Sequence, residues 1–210
     1  MYMNKLGFLI SFEGIEACGK STQIAKLSEN LIAQGYDVLC SREPGGTPFG
    51  DRIREIFLGL DSKGISAETE LCLLGAARIE HIRQKIMPAL HAGKVVILDR
   101  FSDASIAYQG YGRGMGYERV VSFHKNLNID LIPDLTILLD CDLNESANRL
   151  VKRGKADRIE QEKQDFFATI RNGYLEIAKR EPERFVIIEA KNEIELIAEQ
   201  VLTHVLRKIG

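Results

Sequence analysis

Residues 8–22, FLISFEGIEACGKST, decide the fold. A short apolar run (Phe8, Leu9, Ile10, Phe12) ends at Gly14. Gly14, four residues, Gly19, Lys20 and Ser21 follow, and then a helical pattern. This is the phosphate-binding loop G-x-x-x-x-G-K-[ST] in its required setting, between a strand and a helix. The glycines let the backbone of Gly14, Ile15, Glu16, Ala17, Cys18 and Gly19 curl, so that successive N–H groups point inward at an anion. The helix starting near Gly19 adds its positive end and the unpaired N–H groups of Lys20, Ser21 and Thr22. Lys20 can reach β- and γ-phosphates, and the Ser21 hydroxyl can ligate Mg2+. The stretch predicts binding of a nucleoside triphosphate.

The rest of the chain gives this loop a conventional setting. Its 210 residues suggest one domain, 1–210, or a domain with a small insertion, and a hydrophobic fraction of 45% is ample for a core. A net charge of −2 and a pI near 6.1 argue against a nucleic-acid or membrane surface, so basic residues must act locally. No apolar run approaches the ~20 residues of a membrane span. Met1 to Lys5 lacks the charged and apolar regions of a signal peptide. Cys18, Cys40, Cys72 and Cys141 lie far apart without zinc spacing and read as reduced thiols of a cytoplasmic protein. Cys18, inside the loop, is either a small residue that fits or an oxidisable thiol whose modification would block phosphate binding.

Strand and helix patterns alternate from end to end, which predicts an α/β fold with a parallel five-stranded sheet flanked by helices. The remaining strands are expected at Val38 to Cys40, Val95 to Leu98, Leu135 to Leu139 and Phe185 to Ile188. One long helical pattern runs from Ala67 to Leu90 with a bend near Pro88. Phe101 to Tyr108 reads as helix and Gly110 to Gly116 as a glycine-rich loop. Glu145 to Val151 begins a helix that breaks at Gly154, inside the almost wholly charged stretch from Lys152 to Glu162.

Ligands of open parallel sheets sit beyond the carboxyl ends of the strands. The loop, Arg42 to Gly46, Asp99-Arg100 and the break after Asp140 all occupy such positions. Arg42 and Arg100 follow strands, and Glu43-Pro44 suits a cis peptide in a tight turn. Arg78 lies mid-helix beside Gly75, Ala76 and Ala77, small neighbours that leave room for a ligand. Guanidinium groups match phosphate oxygens in a bidentate fork, and three of them on one rim predict a second anionic substrate. Asp99 can hold Mg2+ directly or through water, or else serve as a helix cap or pair with Arg100. Lys152, Arg153, Lys155 and Arg158, mixed with Asp157 and Glu160, predict an ordered cationic lid over about 152–163.

These residues resemble those of the bacterial thymidylate kinases, nucleoside monophosphate kinases of the phosphate-loop class. The matching stretches, in order along nearly the whole chain, are FEGIEACGKST, REPGGTPFG, GAAR around Arg78, ILDRF, AYQGYGRG from Ala107, PDLTILLD from Pro133 and RGKADRIEQ from Arg153. REPGG and DRIEQ are the segments specific to this family among its relatives. The resemblance implies that ATP and thymidine monophosphate give ADP and thymidine diphosphate with Mg2+, in a homodimer packed through helices. Residue by residue, it places Lys20 and Ser21 on ATP and metal. Arg42 and Arg100 fall on the acceptor phosphate, and Arg78 along that phosphate and the base. Glu16 matches the acidic residue meeting the sugar 3′-hydroxyl, Tyr108 the aromatic that crowds the 2′ position, and Ser105 a polar residue facing the base edge. Pro44, Leu74 and Gln109 complete the acceptor set, and Arg153 and Arg158 match the lid. Some relatives carry an arginine in the loop directly after the acidic residue. Here that position is Ala17, so the catalytic cation is expected from the lid, at Arg153, alongside Lys20 and Arg100. Where relatives commonly stack phenylalanine on thymine, this chain has Leu74, which predicts a higher Michaelis constant or looser base preference. The alternatives are a kinase of another nucleoside monophosphate or small metabolite with the same fold, and a nucleotide-dependent switch or ATPase.

Overall fold

The computed structural model describes residues 7–154 and 157–210. The sequence readings made on Met1 to Lys5 and on Lys155 lie outside the described residues. Five parallel strands form one sheet in the order β2-β3-β1-β4-β5: β1 Phe8–Glu13, β2 Val38–Arg42, β3 Val95–Asp99, β4 Leu135–Asp140 and β5 Phe185–Glu189. The three inner strands are apolar and almost wholly buried, as a sheet covered on both faces requires. Alternate residues feed the two faces. Ile10, Phe12, Val95 and Ile97 join a core with Leu27 and Leu31, whereas Leu9, Val96 and Leu98 pack with Ile82, Ile86 and Leu90.

Register fixes the rim. Phe12 pairs with Asp99 of β3, Glu13 with Leu138 of β4, and Arg42 of β2 with Asp99. The last residues of β2, β3 and β1 therefore stand side by side, followed by the segments singled out in the sequence.

Nine α-helices are assigned among the described residues: α1 Lys20–Ala33, α2 Pro48–Leu58, α3 Ala67–His81, α4 Met87–His91, α5 Ser102–Ser105, α6 Tyr117–Asn126, α7 Leu143–Arg153, α8 Gln164–Arg180 and α9 Ile194–Ile209. Thr47 caps α2, its side chain accepting from the Gly50 N–H at 3.0 Å, and Pro48 occupies the first turn, where no N–H is needed.

Two expectations are corrected. The long helix expected from Ala67 to Leu90 is not simply bent at Pro88: it passes through a π-helical turn at Ile82–Ile86 before α4 begins. Proline lacks an N–H and its ring crowds the carbonyl four residues earlier, here Gln84, so the wider turn forms just ahead of it. The second π-helical segment, Ile106–Gly112, absorbs the start of the expected loop at Gly110 to Gly116. Gly112 is there for closeness. A Cβ at that position would lie 2.8 Å from the Phe166 ring of α8.

Candidate active site

The phosphate loop joins β1 to α1. Gly14 has φ 135°, and a Cβ on it would lie 2.5 Å from the Leu139 carbonyl oxygen, so only glycine fits. Gly19, at φ 99°, opens α1 with no side-chain cap, and the first turn carries no acidic residue. That end therefore keeps its positive potential and N–H groups for an anion. Lys20 is buried and folds over the loop, donating to the carbonyls of Ile15 at 2.9 Å and Gly14 at 3.3 Å. Cys18 is buried, its sulfur 3.5 Å from the Lys20 ammonium. Two groups of α7 steady the loop from outside. Ser146 Oγ donates to the Glu16 carbonyl at 2.7 Å, and Arg149 donates to that of Ala17 at 3.3 Å.

From this loop a cleft of about 390 Å3 runs to the arginine rim. Residues from Glu16 to Thr22 line one side, and Arg42, Pro44, Arg78, Asp99 and Arg100 the other, with Leu74, Ser105, Tyr108 and Gln109 closing the far end. Arg153, Asp157 and Glu160 of the lid segment face the same space. Gly14 and Ile15 support the loop from beneath rather than lining the cleft.

Arg100 is central. Its φ is 69°, a left-handed conformation unusual for a side-chain-bearing residue, and its N–H donates to the Phe12 carbonyl at 3.0 Å. The guanidinium donates to the Gly14 carbonyl at 2.8 Å and the Tyr174 hydroxyl at 3.0 Å, pairs with Glu16 at 2.9 Å, and lies over the Tyr108 ring. Glu16 also accepts from the Tyr108 hydroxyl at 2.9 Å. Burial pushes the Glu16 carboxyl up, but the charges of Arg100 and Lys20 and these hydrogen bonds outweigh it and bring the carboxyl to about 2. Glu16 is thus an anion throughout the physiological range. Ser21 Oγ donates to Asp99 Oδ2 at 3.1 Å. These two hard oxygen groups flank the loop and suit a magnesium ion, which commonly completes its shell with water and phosphate oxygens. Among the described residues, no group of three or more His, Cys, Asp or Glu side chains forms a protein-only metal cage.

Arg78 departs from its expected open surroundings. It is only 2% exposed and fully engaged: it donates to Glu43 at 2.7 Å, to His124 Nε2 at 2.8 Å, to the Phe101 carbonyl at 3.0 Å and to Ser105 Oγ at 3.1 Å. The small neighbours Gly75 and Ala77 admit packing, not a vacancy: a Cβ on Gly75 would lie 2.8 Å from the Phe123 ring. Arg158 likewise turns away from the phosphates. It is buried against the Phe57 ring, donates to the Phe57 carbonyl at 2.8 Å and pairs with Glu70 at 2.7 Å, outside the residues lining the cleft. A buried guanidinium needs acceptors, and these lie in α2 and α3 rather than at the loop. Arg153, at the end of α7, remains half-exposed, lines the cleft and pairs with Glu160.

Sequence reasoning missed several groups. Arg54 lines the cleft nearly two turns into α2 and donates to the Pro44 carbonyl at 3.0 Å; burial and the charge of Arg42 pull its guanidinium below its ordinary value. Its place seven residues after Thr47, on the helix fed by the REPGG turn, was the available signal. Glu13 accepts from the Phe101 N–H at 2.7 Å and the Tyr174 hydroxyl at 2.8 Å, and burial together with the Asp103 charge pushes it up to about 8. His124 is held neutral, burial and the Arg78 charge lowering it to about 2, so its Nε2 accepts from Arg78. Nothing in local spacing marks Glu13 or His124.

The model of the thymidylate kinase family matches residues 12–201. The thymidylate kinase of Pelobacter propionicus is 43% identical over 208 residues, covering 96% of this chain and 95% of the relative. That of Ruthia magnifica is 45% identical over 195 residues, covering 93% and 95%. The crystal structure of thymidylate kinase from Ehrlichia chaffeensis superposes with a TM-score of 0.78 at 31% identity, covering 95% of this chain and 98% of that one.

Proposed function

The chain belongs to the thymidylate kinase family, and from that premise we propose how its cleft performs the family's reaction. The enzyme transfers the γ-phosphoryl group of ATP to dTMP, giving ADP and dTDP. One continuous cleft carries the assignment of sites, because it joins the phosphate loop to an arginine rim without a break. ATP lies with its phosphates on the N–H groups of the loop and of the first turn of α1. Lys20 leaves the loop carbonyls for the phosphates, a stronger partner for an ammonium. Ser21 and Asp99 would hold Mg2+, which neutralises charge on the β- and γ-oxygens when bound.

The acceptor lies on the other side. Arg42, Arg54 and Arg100 hold its phosphate, with Glu16 and Tyr108 against the sugar. Leu74, Ser105, Arg78 and Gln109 surround the base. Among the described residues the buried Gln109 Oε1 has no hydrogen-bond donor, which suits a base N–H as its partner. Arg78 acts through its hold on Ser105 and the Phe101 carbonyl as much as by direct contact. The acceptor phosphate is already ionised, so positioning and charge neutralisation suffice without a general base. Arg153 supplies the catalytic cation as the lid excludes water, while Arg158 anchors the lid.

We place the whole chain in one domain, in the cytoplasm, and in a homodimer packed through helices. Phe49 and Ile56, seven residues apart on one face of α2, are exposed apolar side chains available for that packing. Among the described residues no helix is long and apolar enough to cross a membrane.

ADP release from Mg-ATP with each nucleoside monophosphate in turn tests the assignment. The expected result is the highest kcat/KM with dTMP; another monophosphate ahead of it would overturn the base site. Leu74→Phe is expected to lower the KM for dTMP about threefold to tenfold, the worth of one aromatic stacking contact. An unchanged or higher KM would show that the base does not lie on residue 74.

A further inference from the structure

Glu70, on α3, lies behind the base end of the cleft and is 1% exposed. Three side chains converge on its carboxylate. Gln109 Nε2 donates to Oε2 at 2.9 Å. Arg113 donates to Oε2 at 3.2 Å and to Oε1 at 3.0 Å. Arg158 of the lid segment donates to Oε1 at 2.7 Å. Burial pushes this carboxyl up, but its hydrogen bonds from Arg113, Gln109 and Arg158 hold it below the usual range. An ionised carboxylate only accepts, so the Gln109 amide has one permitted orientation. Its NH2 faces Glu70, and its oxygen occupies the opposite corner of the same plane. That oxygen is buried and has no donor among the described residues, and Gln109 lines the cleft beside Leu74, Ser105 and Tyr108.

We propose that Glu70 is a specificity-determining positioning residue that sets the polarity of the Gln109 amide, so that Gln109 presents to the cleft an acceptor and never a donor. This rests on the assignment of the base to that end. An acceptor selects a pyrimidine carrying N–H at ring position 3, as thymine does. Cytosine carries a lone pair there, which would face the lone pairs of Oε1 and leave both groups unpaired. A site built around a buried hydrogen bond rejects the mismatched partner far more strongly than an apolar pocket can. Arg113 and Arg158 share the carboxylate, so it stays ionised and the amide stays fixed.

The test is the ratio of kcat/KM for dTMP to that for dCMP, measured on the full-length protein. In Glu70→Gln the new amide can donate as well as accept, Gln109 is free to turn over, and the ratio is expected to fall at least about tenfold. A loss of packing alone would lower both substrates together and leave the ratio in place, overturning the proposal. In Gln109→Leu the ratio is also expected to fall, and adding Glu70→Gln to that variant should lower it no further. A further fall in the double variant would show that Glu70 acts by another route and overturn the proposal. If Glu70→Gln does not fold, Gln109→Leu decides alone: an unchanged ratio overturns the proposal. A wild-type enzyme equally active on both nucleotides refutes it at once. Activity on neither refutes the kinase assignment and this proposal with it.

Discussion

Arg153→Ala is expected to lower kcat about a thousandfold while changing the KM for dTMP by less than about threefold, because an arginine that stabilises phosphoryl transfer is worth roughly 10³ or more in turnover. The split follows from geometry. The Arg153 side chain is 53% exposed, with Glu160 its ion-pair partner. Removing it takes little from ground-state binding or from the core. Charge develops on the transferring oxygens only in the transition state, so a cation supplied there acts on turnover. Glu160 keeps the Asp157 N–H at 3.1 Å after the change, so the lid backbone retains a tie. Steady-state kinetics on both substrates decide. An unchanged kcat would remove Arg153 from catalysis, and an equal loss carried by KM would make it a binding residue instead.

Glu43→Ala is expected to destabilise the fold by about 3–5 kcal/mol, the usual consequence of leaving a buried charge without its partner. Glu43 sits in the turn after β2, with its side chain 4% exposed. It joins Arg78 at 2.7 Å to His81 Nδ1 at 3.0 Å, and His81 Nε2 reaches Ser41 Oγ at 2.8 Å. Burial raises its carboxyl, but Arg78 and His81 more than reverse this and hold it below its ordinary 4.5. The carboxyl is therefore depressed on folding. Its stabilisation is present above about pH 4.5 and is lost as pH falls through the folded value. In a chain of this size the alanine variant should melt roughly 6–20 °C lower at neutral pH, at about 2–4 °C per kcal/mol. A melting temperature within 2 °C of wild type, as an order-of-magnitude bound, would show that Arg78 finds another acceptor.

The frame was legible because it rests on short-range signals. Short apolar runs of three to five residues gave all five strands, and the spacing of Gly14, Gly19 and Lys20 gave the loop. Strand ends marked the rim, which is why Arg42, Asp99 and Arg100 line the cleft as expected. What stayed hidden depends on distant partners. Arg78 meets His124 across 46 positions and Arg158 meets Glu70 across 88, and no local pattern says which acceptor a guanidinium will find. Burial of both is thus a tertiary decision. The π-helical turns were hidden for another reason: their apolar spacing matches that of ordinary helix, and only the crowding by Pro88 or the contact of Gly112 with Phe166 shifts the hydrogen-bond step.

The left-handed backbone at Arg100 has a practical consequence for anyone engineering heat tolerance. A side-chain-bearing residue there costs about 1–2 kcal/mol that glycine would not. Glycine would recover that cost but remove the guanidinium, leaving the Glu16 carboxylate and the Gly14 carbonyl without their partner, a larger loss. A library scored on survival after heating would therefore keep arginine at this codon despite its strained backbone. Position 100 is best held fixed, and stabilising changes sought elsewhere in the chain.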